Sequence, residues 1–126
     1  RQQARERLVF AIDVDSSDRA LDYVQRLNSE VGVFKVGKQL FLHAGPKIVR
    51  DIRAAGGEVF LDLKFHDIPA TVANASVEAT RLGALIFNLH ASGSLEMMRR
   101  SVTAVDRACR TEHLRRPTML AVTVLT

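Results

Sequence analysis

Short apolar runs alternate with longer amphipathic ones along the chain, at a spacing of about 25 residues, which is the pattern of repeated strand-helix units. Leu8 to Asp13 reads as the first strand. Ser16-Ser17-Asp18 then offers N-cap oxygens, and Ala20, Leu21, Val24 and Leu27 recur at helical spacing. Val31 to Gly37 is a second strand. Gly45-Pro46 suits a helix entry with proline in the first turn; Ile48, Val49 and Ile52 form its apolar stripe, and Gly56-Gly57 closes it. Glu58 to Phe65 is a third strand, Pro69 opens a helix carrying Val72, Ala73, Ser76, Val77 and Leu82, and Gly83 leads into a fourth strand from Leu85 to His90. Ser92-Gly93-Ser94 starts a helix containing Leu95, Met98, Val102 and Val105, and Pro117 precedes a fifth strand over Met119 to Leu125.

Five strands with four intervening helices and no hairpin turn predict an α/β protein with a parallel sheet, either doubly wound or part of a (β/α)8 barrel. The turn after the first strand, Asp13-Val14-Asp15-Ser16-Ser17, contains no glycine, so it is neither a GxGxxG turn nor a P-loop. Polar residues collect instead at the C-terminal ends of the strands: Asp13 on the first, Lys35 on the second, Asp62 and Lys64 on the third, Asn88 and His90 on the fourth. Barrel enzymes carry their chemistry at those ends. The expected fold is therefore a (β/α)8 TIM barrel, of which these 126 residues cover about the first four βα units plus strand five. A whole barrel needs roughly 200 residues or more, so residues 1–126 are expected to be the N-terminal portion of a single barrel domain whose remainder lies outside this sequence.

Composition agrees with a packed domain rather than a disordered segment, at 47% hydrophobic and 25% charged residues. Lys and Arg number 18 against 14 Asp and Glu, a formal +4, but they are scattered. Arg99-Arg100 and Arg115-Arg116 read as solvated helix faces rather than a nucleic-acid patch, and the mild positive balance suits an anionic small substrate. Cys109 is the single cysteine, which excludes an internal disulfide and a cysteine zinc site. Arg1 to Arg7 lacks the apolar core of a signal peptide, and no apolar run approaches the roughly 18 residues that cross a bilayer, so a cytoplasmic protein with no membrane partner is expected.

The most informative segment is Glu58-Val59-Phe60-Leu61-Asp62-Leu63-Lys64-Phe65-His66-Asp67-Ile68-Pro69. Side chains alternate across a strand, so Val59, Leu61, Leu63 and Phe65 are expected to face the helices while Phe60, Asp62, Lys64 and His66 point the other way. Buried opposite charges are costly unless paired, and on this strand alone a structural ion pair remains an alternative. Lys35 shares the interior phase of strand two with Val33 and Gly37, and Asp13 that of strand one with Val9 and Ala11. Four charges converging on one barrel mouth cost more than an apolar filling would, which argues for a site. Two carboxylates and two ammonium groups suit stabilisation of developing negative charge and delivery of a proton to it. His66 and His90 read as packing or hydrogen-bonding residues, and no pair of histidines has metal spacing.

Asp62-Leu63-Lys64-Phe65-His66-Asp67-Ile68-Pro69 resembles the DxKxxDIP signature of the orotidine 5'-monophosphate decarboxylases. Phe34-Lys35-Val36-Gly37 with Leu40-Phe41 resembles that family's second strand, Ala11-Ile12-Asp13 its first, Asn88-Leu89-His90-Ala91 its fourth and Val122 to Thr126 the start of its fifth-strand motif. The resemblance implies decarboxylation of orotidine 5'-monophosphate to uridine 5'-monophosphate without cofactor or metal. It implies that Asp13 holds a ribose hydroxyl, that Lys35 binds the ribose within an alternating Lys-Asp-Lys-Asp network, and that Asp62 lies against the substrate carboxylate. Lys64 would protonate C6 of the pyrimidine, and Thr126 would approach its ring. Asp67, Ile68 and Thr71 would reach into the neighbouring subunit's site, making the active form a homodimer.

The nearest rival is a phosphosugar decarboxylase similar to 3-keto-L-gulonate 6-phosphate decarboxylase, which shares DxKxxD but uses magnesium. That relative carries an acidic metal ligand in place of Lys35 and lacks the Ile-Pro after the last Asp. A non-catalytic assembly module is a further alternative, for which Lys64 would be dispensable. In the family the phosphate is gripped by loops of the second half of the barrel, including an arginine, so residues 1–126 alone are expected to be inactive.

Overall fold

The computed structural model describes residues 1–126 as five strands linked by helical crossovers. The strands stand in one sheet in the order β1-β2-β3-β4-β5: β1 is Val9–Ala11, β2 Val33–Gly37, β3 Glu58–Phe65, β4 Ile86–His90 and β5 Thr118–Val122. Strict sequence order agrees with the barrel expected from the sequence, because a doubly wound sheet reverses its strand order at a switch point. The alternation is that of the first part of a (β/α)8 barrel. The chain forms two compact units, Arg1–Asp62 and Leu63–Thr126, with the division inside β3.

In the first unit, α1 (Gln2–Glu6) precedes β1, α2 (Ser17–Leu27) links β1 to β2, and α3 (Lys38–Ala44) and α4 (Lys47–Ala54) link β2 to β3. Ser16 caps α2, its hydroxyl accepting from the Arg19 N–H as the sequence predicts. Parallel pairing sets Ala11 beside Lys35, Lys35 beside Phe60 and Gly37 beside Asp62. Phe34, Val36, Val59 and Leu61 are buried on one face together with Val24, Ile48 and Ile52. Gly57 is glycine for a packing reason: a Cβ there would lie 2.8 Å from Phe34 Cδ2 and 3.1 Å from Ile52 Cγ2.

The second unit carries the end of β3, α5 (Pro69–Leu82), β4, a 3₁₀ turn at Ala91–Gly93, α6 (Leu95–Glu112) and β5. Val72, Leu89 and Met97 form a buried cluster against which Phe65 and Met98 pack. The Phe65 and Phe87 rings add a tilted contact at 5.9 Å.

Several boundaries differ from the sequence expectation. β1 stops at Ala11 rather than Asp13, although the Ile12 N–H still bonds Lys35 O at 3.0 Å. β2 begins at Val33 because the Gly32 N–H is taken by Arg5 O at 2.9 Å. β4 begins at Ile86, and β5 ends at Val122 rather than Leu125, because its partner ends at His90 opposite Val122 and leaves nothing to pair with. Two helices were not expected. α1 buries no residue and is held by polar contacts, with Arg5 Nε donating to Asn28 O at 2.6 Å, so it leaves no apolar period. α3 buries only Leu40 and starts at Gly37 with no side-chain cap. Both usual helix signals are therefore missing.

Candidate active site

Asp13 just beyond β1, Lys35 in the middle of β2 and Asp62 within β3 bring three of the expected charges together. Lys35 Nζ lies 3.2 Å from Asp62 Oδ2 and 4.0 Å from Asp13 Oδ1. The register explains the geometry: β1, β2 and β3 are neighbours, and each charged residue sits on the face opposite the helices. The Asp62 side chain is 10% exposed, whereas the Asp13 side chain is 73% exposed. The ammonium is thus anchored on a buried carboxylate and reaches toward an open one. Such an array can bind hydroxyl groups through its outer carboxylate and present positive charge to an anionic ligand.

Lys64 follows Asp62 by two residues and breaks the regularity of β3. Its φ is +51°, in the left-handed region. The other non-glycine residues with positive φ, Ser94 and His113, are helix caps, where a local turn accounts for the geometry. Lys64 lies inside a strand, where the conformation costs about 1–2 kcal/mol and persists only if its surroundings impose it. The Lys64 N–H donates to Asn88 Oδ1 at 2.8 Å. Asn88 is 4% exposed in the middle of β4. In the sequence Asn88 stands only as a polar strand-end residue; the signal of a further role is an amide in a phase otherwise destined for burial.

Beyond Lys64 the chain turns into α5 through Asp67-Ile68-Pro69. Proline disfavours helical geometry in the preceding residue, and Ile68 is extended at ψ 151°, forming the N-cap of α5. Asp67 Oδ1 accepts from the Ile68 N–H at 2.7 Å, which folds the carboxylate back on the turn. Lys64, Asp67 and Thr71 line one small pocket with Phe65, His66 and Val72. Ile68 projects outward, 66% exposed. Thr126 is exposed beyond the end of β5. The His66 and His90 rings pack 5.1 Å apart. No three His, Cys, Asp or Glu side chains gather as ligands for a metal ion.

Comparison with known proteins places the chain in a family. The profile of the "Orotidine 5'-phosphate decarboxylase / HUMPS family" matches residues 6–126. The chain belongs to that family. The orotidine 5'-phosphate decarboxylase of Syntrophotalea carbinolica is 54% identical over 124 residues, which is 98% of this chain and 51% of that relative. The enzyme of the same name from Geobacter sulfurreducens is 54% identical over 126 residues, covering 100% of this chain and 52% of its own. Among solved structures, the orotidine 5'-phosphate decarboxylase of Lactobacillus acidophilus superposes with a TM-score of 0.84 at 32% identity, covering 97% of this chain and 54% of that one. The chain thus spans about half the length of the orotidine 5'-phosphate decarboxylases it matches.

Proposed function

We propose that the full-length protein carrying this chain decarboxylates orotidine 5'-monophosphate to uridine 5'-monophosphate, the decarboxylation step of de novo pyrimidine biosynthesis, as a cofactor-independent lyase. The observation that carries the reading is the Asp13–Lys35–Asp62 array, with Lys64 two residues further along β3, in a member of this family. In the reaction the bond from C6 to the carboxylate breaks, the electron pair stays on C6 and carbon dioxide leaves. The carbanion lacks an electron sink, so preorganised positive charge has to stabilise it. Lys64 supplies that charge and donates an ammonium proton to C6, later regaining one from water.

The other roles are those the family resemblance implies, and the placement of the residues supports them. Asp13, the exposed member of the array, accepts from a ribose hydroxyl, and Lys35 binds the ribose while its ammonium is held by Asp62. Asp62 lies against the departing carboxylate, where its charge raises the energy of the ground state. We assign the active form as a homodimer in which Asp67, Ile68 and Thr71 complete the neighbouring site; the exposure of Ile68 on the turn before α5 supports this. Thr126 contacts the pyrimidine. Residues 1–126 belong to a single (β/α)8 domain working in the cytoplasm, with a nucleotide substrate and no nucleic-acid or membrane partner. No helix of the chain is long and apolar enough to cross a membrane. Residues 1–126 alone are inactive on this reading, because the phosphate is held by the second half of the barrel.

The deciding experiment follows the ultraviolet absorbance of orotidine 5'-monophosphate with the full-length protein and its Lys64→Ala variant. Substrate loss that disappears in the variant supports the assignment. A full-length protein that leaves orotidine 5'-monophosphate untouched overturns it and redirects attention to phosphosugar decarboxylation with magnesium.

A further inference from the structure

Lys64 stands in a backbone conformation that a lysine does not adopt unaided, and Asn88 is a buried amide on a strand whose neighbours Phe87 and Leu89 are apolar. The two oddities meet in one hydrogen bond, from the Lys64 N–H to Asn88 Oδ1 at 2.8 Å. From this we infer that Asn88 is a positioning residue: its amide oxygen fixes the left-handed backbone turn from which the Lys64 side chain is aimed. The inference rests on the reading of Lys64 as the proton donor.

Physical reasons converge on this role. A left-handed residue inside a strand turns its N–H away from the direction the regular ladder would use, so a partner has to come from elsewhere. An amide oxygen carried on a short side chain can follow that turn, and Asn88 Oδ1 does so at 2.8 Å. An aliphatic residue at Asn88 would pack at lower cost in a buried strand position and would leave the Lys64 N–H without this acceptor. On the other face, Phe65 is pinned against Val72, Leu89 and Met97 and touches Phe87. The peptide on the N-terminal side of Lys64 is thus held by Asn88 and the residue after it by the core, which leaves the turn at Lys64 little freedom. A catalytic ammonium on a four-carbon stem gains from a fixed root, since small errors in direction cost rate rather than binding.

The test uses the full-length protein with Asn88→Leu, which keeps the volume and removes the acceptor, and Asn88→Asp, which keeps an oxygen in place. Asn88→Leu is expected to lower kcat for orotidine 5'-monophosphate by about 100-fold with little change in KM. Asn88→Asp is expected to recover at least about a tenth of the wild-type rate, and equal losses in both variants overturn the role of the acceptor oxygen. Amide hydrogen exchange provides the readout that is independent of activity. The Lys64 amide is expected to be protected in the wild type and to lose protection in Asn88→Leu while the amides of Val59 and Leu61 keep theirs. An unprotected Lys64 amide in the wild type, an unchanged kcat in Asn88→Leu, or a general loss of protection and thermal stability along with kcat each overturns the proposal. If the wild type shows no decarboxylation at all, the functional reading fails, and the exchange measurement still decides whether Asn88 holds the turn.

Discussion

Lys35 and Lys64 lie on adjacent strands, β2 and β3, yet the backbones that carry them differ. Lys35 belongs to a regular strand and is held at its head, by Asp62 at 3.2 Å and Asp13 at 4.0 Å. Lys64 is held at its root, where a strained φ of +51° is stabilised by the Asn88 side chain. The difference matches the work proposed for each. A charge that only binds and stabilises can be carried on a regular strand. An ammonium that gives up its proton must reach the reacting carbon, so its direction is set by the turn of the backbone that carries it.

The widest separation between the two lysines should come from removing each in turn. Lys64→Ala is expected to lower kcat/KM by at least about 10⁴-fold, the combined loss of proton donor and nearby positive charge. Lys35→Ala should cost less, about 100-fold, because it removes one stabilising group and leaves the donor in place. Both are read from the ultraviolet assay in the full-length protein. A Lys35→Ala loss as large as that of Lys64→Ala would erase the distinction and make the network a single unit.

How far this contrast was visible in the sequence follows from its physical origin. The period-2 alternation of Val59, Leu61 and their neighbours, and the polar positions Asp13, Lys35 and Asp62, were legible because strand phase fixes the face of a side chain. The (β/α)8 alternation was legible for the same reason, and the observed strand order agrees with it. The turn at Lys64 was not, since lysine carries no propensity for positive φ and the cause lies in Asn88, 24 residues away. α1 and α3 escaped because neither presents an apolar stripe or a capping side chain. The true end of β5 depended on where its partner β4 stops, which no local pattern in Met119–Leu125 records.

Each lysine also has an aromatic neighbour in the core, Phe34 beside Lys35 and Phe65 beside Lys64, and these supports can be disturbed separately. Met97→Ala removes a fully buried side chain from the cluster that holds Phe65 and should destabilise the protein by about 3 kcal/mol. Gly57→Ala places a methyl 2.8 Å from Phe34 Cδ2 and should cost about 2 kcal/mol through overpacking. Urea unfolding measures both. The sharper comparison is kinetic, because loosening Phe65 frees the root of Lys64. Met97→Ala is therefore expected to lower kcat by more than its stability loss suggests when assayed well below the unfolding transition. Gly57→Ala leaves the Lys35 head on Asp62 and should not.

The smallest effect belongs to the contrast between a part-buried ion pair and an exposed one. Arg81 on α5 holds Glu112 on α6 through two contacts, Nε to Oε1 and Nη2 to Oε2, both at 2.9 Å, and also reaches Glu78. The hydrogen bonds and positive charge of Arg81 hold the Glu112 carboxyl below its ordinary value of 4.5. A carboxylate with a depressed pKa in the folded state stabilises the fold above its unfolded pKa and loses that contribution as the pH falls through the folded one. Because the pair is solvated, its contribution is screened and small. Arg81→Gln should therefore lower the thermal transition only slightly at neutral pH and low salt, and added salt should shrink the gap further. The difference between the two proteins should close as the pH is taken well below 4.5, where Glu112 is protonated in both. A gap that survives acid would mean that the Arg81 side chain acts through packing of its aliphatic stem across α5 and α6 rather than through its charge.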